Sequence, residues 1–100
     1  MPRGRCVIEE VLGRLMYLKV IKELASSPEP LTRYRIVERT GLKFSDVSRV
    51  LARLVEMGWV IEHSTRPKKF SLNYSVREVA KLVECLRELG YIPSRPEGGG

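Results

Sequence analysis

A chain of 100 residues and 11.4 kDa holds one domain with a single small core. Hydrophobic residues at 43% and charged residues at 30% exclude a disordered chain, and Arg14, Lys19 and Lys22 interrupt the best apolar run well short of a membrane span. The net charge of +6 and pI near 9.7 call for an anionic partner, nucleic acid or an anionic membrane surface.

Residues 5–26 read as one long helix whose apolar stripe changes sides midway. Val7, Ile8, Val11, Leu12 and Leu15 wind onto one face, and Met16, Tyr17, Val20, Ile21 and Leu24 onto the opposite one. Such a helix has two neighbours, its own core and a second subunit. Ser26-Ser27-Pro28-Glu29-Pro30 ends it in a stiff turn. Leu31-Thr32 opens a short second helix with Thr32 as N-cap, and Gly41 suits its left-handed C-cap. A third helix over 44–57 places Val47, Val50, Leu51 and Leu54 on its inner face and stops at Gly58. Residues 59–63 and 69–73 read as strands of a hairpin, with Phe70 and Leu72 alternating against Lys69, Ser71 and Asn73. Ser75 and Glu78 have capping-box spacing, and Tyr74 with Val79 has staple spacing, so a fourth helix runs over 75–89. The expected division is a domain over 1–92 and a disordered Pro- and Gly-rich tail over 93–100.

The fourth helix carries Val76, Val79, Val83 and Leu86, flanked by Ala80, Leu82, Cys85 and Leu89, an apolar face of about 220°. That is wider than one core needs. Together with the two-sided first helix it predicts a homodimer through Val7, Val11, Leu15, Val79, Val83 and Leu86, the alternative being that both helices complete a monomer core.

Helices, hairpin and helix in this order, mainly α with a small β-hairpin, make an α+β winged helix-turn-helix. Pro30-Leu31-Thr32, Ile36-Val37-Glu38-Arg39, Thr40-Gly41-Leu42, Val47-Ser48-Arg49-Val50-Leu51, Arg53-Leu54 and Met57-Gly58-Trp59-Val60-Ile61 resemble the multiple-antibiotic-resistance-type (MarR) regulators and related small winged-helix repressors. Two departures stand out. Lys43 occupies the N-cap of the third helix where the family has Ser or Asn, and Arg35 replaces the capping-box acid of the second. Each change gives up helix-cap stability of about 1 kcal/mol for positive charge.

The resemblance implies a sequence-specific regulator of double-stranded DNA, with the third helix in the major groove. Its exposed positions are Lys43, Ser45, Asp46, Ser48, Arg49 and Arg53, with Arg49 the base reader, because a planar fork matches guanine O6 and N7. Thr32, Arg33, Tyr34 and Arg35 suit phosphates, as do Arg66, Lys68 and Lys69 at the wing. Residues 31–74 hold nine Lys or Arg against four acids, a net +5, which leaves +1 for the rest of the chain. Arg49 and Arg53 also have helical spacing to Asp46 and Glu56 as ion-pair partners, and the three wing cations also fit a solvated loop.

Two other functions fit the fold: a non-specific chromatin protein, resembling archaeal winged-helix nucleoid proteins, and a winged-helix protein–protein module. Catalysis is not expected. One histidine (His63) and two cysteines (Cys6 and Cys85, 79 positions apart) form no zinc spacing. There is no phosphate-cradling glycine loop, so neither metal nor cofactor is called for. His63 reads as a strand-end surface residue, Trp59 as core, and the cysteines as structural thiols. The basic N-terminus carries no signal-peptide cleavage pattern, which places the chain in the cytoplasm without a membrane partner. A single Asn and no Gln, beside abundant Arg, Lys and Glu, point to a thermophile. Any small-molecule effector is unknown from sequence.

Overall fold

Val20, Ile21 and Leu24 recur at helical spacing, and each is at most 5% exposed. They anchor the core from the second half of α1 (Arg5–Ser26). The computed structural model describes residues 5–92, with side chains from Arg14 onward. The chain continues through β1 (Leu31–Thr32), α2 (Arg33–Thr40), α3 (Phe44–Met57), β2 (Val60–His63), β3 (Lys69–Leu72) and α4 (Arg77–Glu88). Helices α1, α2 and α3 pack on one another, and a small antiparallel sheet of order β1-β3-β2 closes the core. This is the α+β winged helix-turn-helix that the pattern of elements predicts.

Two glycine caps define the helix-turn-helix. Gly41 (φ 77°) donates its N–H to the Val37 carbonyl at 2.8 Å, ending α2 in a left-handed residue. Gly58 (φ 84°) donates to Val55 O while Trp59 N–H reaches Leu54 O at 2.9 Å, the paired bonds of a Schellman cap. That cap lays Trp59 half-buried against the core and aims the chain into β2.

The sheet has one strand more than the sequence reading foresees. Leu31 and Thr32 pair with Phe70 and Lys69, so the residues that open α2 first complete an edge of the wing. Two residues carry no periodicity of their own, and only the β3 partner makes them a strand. In β3 the predicted alternation holds, since Phe70 and Leu72 are buried while Lys69 is exposed.

The start of α4 needs a correction. Its N-cap is Val76, which provides no side-chain cap, and the Ser75–Glu78 capping box does not form. Asn73, the single asparagine in the chain, takes over. Its Oδ1 accepts from Ser75 N–H at 3.1 Å, and its Nδ2 donates to Gly58 O at 3.0 Å. Its backbone N–H donates to Trp59 O at 2.8 Å. Asn73 thus ties the end of β3 to the end of α3 and uses the Ser75 amide that a helix would claim, so α4 begins at Arg77.

A second correction concerns the expected dimer face. Val79 and Val83 are 1% and 2% exposed within the single chain, and Leu86 is 9% exposed. They fill this chain's own core, because α4 packs against α1 through them. Leu15 does lie at the surface, at 44% exposure. The side chains of Val7 and Val11, and the tail over 93–100, lie outside the described residues.

Candidate nucleic-acid interface

The tight turn at Gly41 joins α2 to α3 so that Tyr34, in the first turn of α2, stacks on Phe44, the first residue of α3, and the two helix N-termini lie together. Thr32 caps α2, its Oγ1 accepting from Arg35 N–H at 3.2 Å. Lys43 caps α3 by backbone alone, with no side-chain hydrogen bond, so its ammonium stays exposed at the helix entrance. Ser45, Ser48, Arg49 and Arg53 follow on the outer face of α3, opposite buried Val47, Val50, Leu51 and Leu54. Ser48 is half-buried and the other three are exposed.

Both ion pairs that the spacing allows on α3 are formed. Arg49 Nη2 lies 3.0 Å from Asp46 Oδ1, and Arg53 Nη1 lies 3.7 Å from Glu56 Oε1. On α2, Arg35 pairs with Glu38 at 3.3 Å, while Arg39 reaches back to Glu23 of α1 at 3.7 Å. Exposed pairs of this kind contribute about 0–1 kcal/mol each, so a phosphate can displace the carboxylate at little cost. The Arg49 pair has a further effect. Asp46 sits in the first turn of α3, where the helix dipole favours a carboxylate, and it holds one side of the Arg49 fork while the side chain remains 64% exposed.

In the wing, Lys68 Nζ sits 2.9 Å from Glu62 Oε2 across the hairpin. This hydrogen bond, with desolvation working against it and the charges of Lys68 and Arg33 adding to it, holds the Glu62 carboxyl below the usual carboxylate range. The pair is therefore complete above that range and opens as pH falls through the lowered value. Lys43, Arg66 and Lys69 are exposed and make no ion pair among the described residues. Lys69 borders an open cleft of about 480 Å³ together with Thr32, Arg35 and Arg39, so the start of β3 and α2 present one basic surface.

Arg33 is placed differently from its neighbours. Its guanidinium carbon lies 4.9 Å from the centroid of the buried Phe70 ring, and its Nε is buried without a hydrogen-bond partner. The residue braces α2 against the wing by a cation–π contact. Tyr34 is 69% exposed and stacks on Phe44, the first residue of α3, with ring centroids 5.1 Å apart. Phe44 is missing from the sequence-derived set. The signal in the sequence was an aromatic residue at the first turn of α3 outside the inward stripe of Val47, Val50, Leu51 and Leu54, and it is 44% exposed.

Away from this face, His63 Nε2 lies 2.8 Å from Ser71 Oγ on the neighbouring strand, half-buried at the strand end. Cys85 is exposed on α4, where the sequence reading placed a structural thiol. Among the described residues no helix is long and apolar enough to cross a membrane.

Residues 17–63, from the second half of α1 through the end of β2, match the IclR helix-turn-helix domain. No curated protein and no solved structure gives a match. The matched segment spans the two helix N-termini and the first wing strand, and it does not single out the MarR type. With its capped helix pair, three-stranded wing and basic outer face, the chain carries a winged helix-turn-helix similar to the IclR domain, which makes it a DNA-binding protein of the transcription-regulator kind.

Proposed function

We propose that the chain is a cytoplasmic, sequence-specific transcriptional regulator that binds double-stranded DNA as a homodimer. The observation that carries this reading is the shared basic face. Exposed Lys43 and Arg49 stand at the N-terminal end of α3, with Arg35 on α2 and Arg66, Lys68 and Lys69 on the wing, and Arg35 and Lys69 line one cleft. In the docking geometry of such domains this end meets base edges, while the flanking cations meet phosphates. Thr32, Ser45, Ser48 and Arg53 complete the contact set, with Tyr34 beside them. Arg33 acts by positioning the wing. Selection of bound duplexes from a random DNA library tests the reading: a regulator enriches a partially palindromic motif. Recovery of unselected sequence at equal affinity would instead mark a chromatin protein.

The dimer surface that fits the observed packing lies beside the core rather than in it. Leu15, Leu18, Leu86 and Tyr91, with the stems of Lys19 and Lys22, line an apolar groove of about 290 Å³ between α1 and the end of α4. Leu89 and Tyr91 stand 65% and 58% exposed at the same end of the fold. A second copy meeting this face covers apolar surface that one chain leaves in water.

The wing cations supply affinity without discrimination in this reading. Changing Arg66, Lys68 and Lys69 together to Ala is expected to weaken binding to all duplexes alike. It should also shrink the slope of log K against log salt by up to about 0.9 for each phosphate left without its cation. A triple variant with unchanged affinity and slope removes the wing from the interface.

A further inference from the structure

The exposed side chains in the first two turns of α3 are charged or hydroxylic except at one place. Phe44, at the first position of the helix, keeps 44% of its surface exposed, and Tyr34 of α2, at 69%, stacks on it at 5.1 Å with 28° between the ring planes. Neither ring belongs to the core beneath or to the partly buried residues packed on it. An exposed aromatic pair therefore stands between the N-termini of both helices, next to Lys43 and Arg35. Exposed apolar surface is unfavourable in water and is offset when it meets another apolar group. The surrounding charge selects a polyanionic partner, and in the major groove of duplex DNA the apolar feature on offer is the C5-methyl group of thymine.

We infer that Phe44, buttressed by the Tyr34 ring, is a specificity-determining residue that reads a thymine methyl group at the flank of the site addressed by Arg49. The inference rests on the DNA-binding reading above and adds a base to it. Arg49 and Phe44 lie five residues apart at different angles on α3, so they meet different base pairs. Tyr34 fixes the Phe44 ring from the α2 side, so the ring approaches the groove without losing much side-chain freedom on binding.

The test compares duplexes that differ by a methyl group. A duplex enriched from the random library is prepared with thymine, and again with each thymine replaced in turn by uracil, which pairs identically and lacks the C5-methyl. The unaltered protein is expected to lose about four-fold in affinity at one thymine per half-site, the equivalent of burying one carbon group of about 0.8 kcal/mol. Phe44→Ala is expected to bind the thymine and uracil forms of that position equally, while retaining the thermal melt of the unaltered chain. Equal affinity of the unaltered protein for both forms at every position overturns the inference, and so does a thymine preference that survives Phe44→Ala. DNA binding with no enriched motif also overturns it while leaving DNA binding intact. No binding to any duplex overturns the function reading itself, and the two failures are therefore distinguishable.

Discussion

Val83→Asp will unfold this domain rather than separate two subunits. Val83 is 2% exposed and sits in a core that contains no buried polar or charged side chain among the described residues. A carboxylate there has neither water nor a partner, a penalty of about 4 kcal/mol or more against a total stability of about 5–15 kcal/mol. Thermal unfolding followed by circular dichroism should move down by about 15 °C or more, or lose its cooperative transition. Leu89→Asp makes the contrast. At 65% exposure the same charge stays in water, so the melt should shift little, within the range of ordinary surface changes. If the groove beside Leu89 seats a second copy, sedimentation equilibrium should move from twice the chain mass toward 11.4 kDa. An unaltered chain that sediments at 11.4 kDa at every micromolar concentration removes the dimer. A melt for Val83→Asp equal to that of the unaltered chain would contradict the packing of α4.

Arg49→Ala is expected to cost about 1–3 kcal/mol on the preferred duplex, roughly 5- to 150-fold, and much less on unrelated DNA. The guanidinium is 64% exposed near the start of α3, and its Nη2 is held at 3.0 Å by Asp46. The Asp46 contact restrains the fork, so less freedom is given up when two parallel hydrogen bonds form to guanine. Lys keeps the charge without the two-pronged geometry, so Arg49→Lys should recover affinity better than discrimination. The deciding quantity is the ratio of specific to non-specific dissociation constants at one salt concentration, because salt alone changes both. A ratio unchanged by Arg49→Ala makes Arg49 a phosphate clamp and moves the chromatin reading ahead.

The amino-acid sequence by itself determined the elements whose signals are local. Helical recurrence of Val47, Val50, Leu51 and Leu54 specified α3 to the residue, and Gly41 and Gly58 marked the two left-handed caps. The alternation around Phe70 and Leu72 specified a strand, and the order of elements specified the winged helix. Arg49 and its Asp46 partner were also legible, since a helix fixes what lies three residues away.

Only the tertiary structure decided features that depend on distant chain. β1 exists because Leu31 and Thr32 lie beside β3, 37 or more residues downstream. Asn73 displaced a good capping box because Gly58 and Trp59 hold it in place from the end of α3. The wide apolar face of α4 gave no hint of which side would meet α1, and packing chose Val79, Val83 and Leu86 for the core while leaving Leu89 outside. Arg33 lies over the Phe70 ring of β3, a partner 37 residues away that helical winding could not name. The stacked rings of Tyr34 and Phe44 belong to two helices whose approach is set by the turn at Gly41. Helical winding gives the angle of a side chain about its own axis, but not the position of the neighbouring axis, which follows from how the whole core closes.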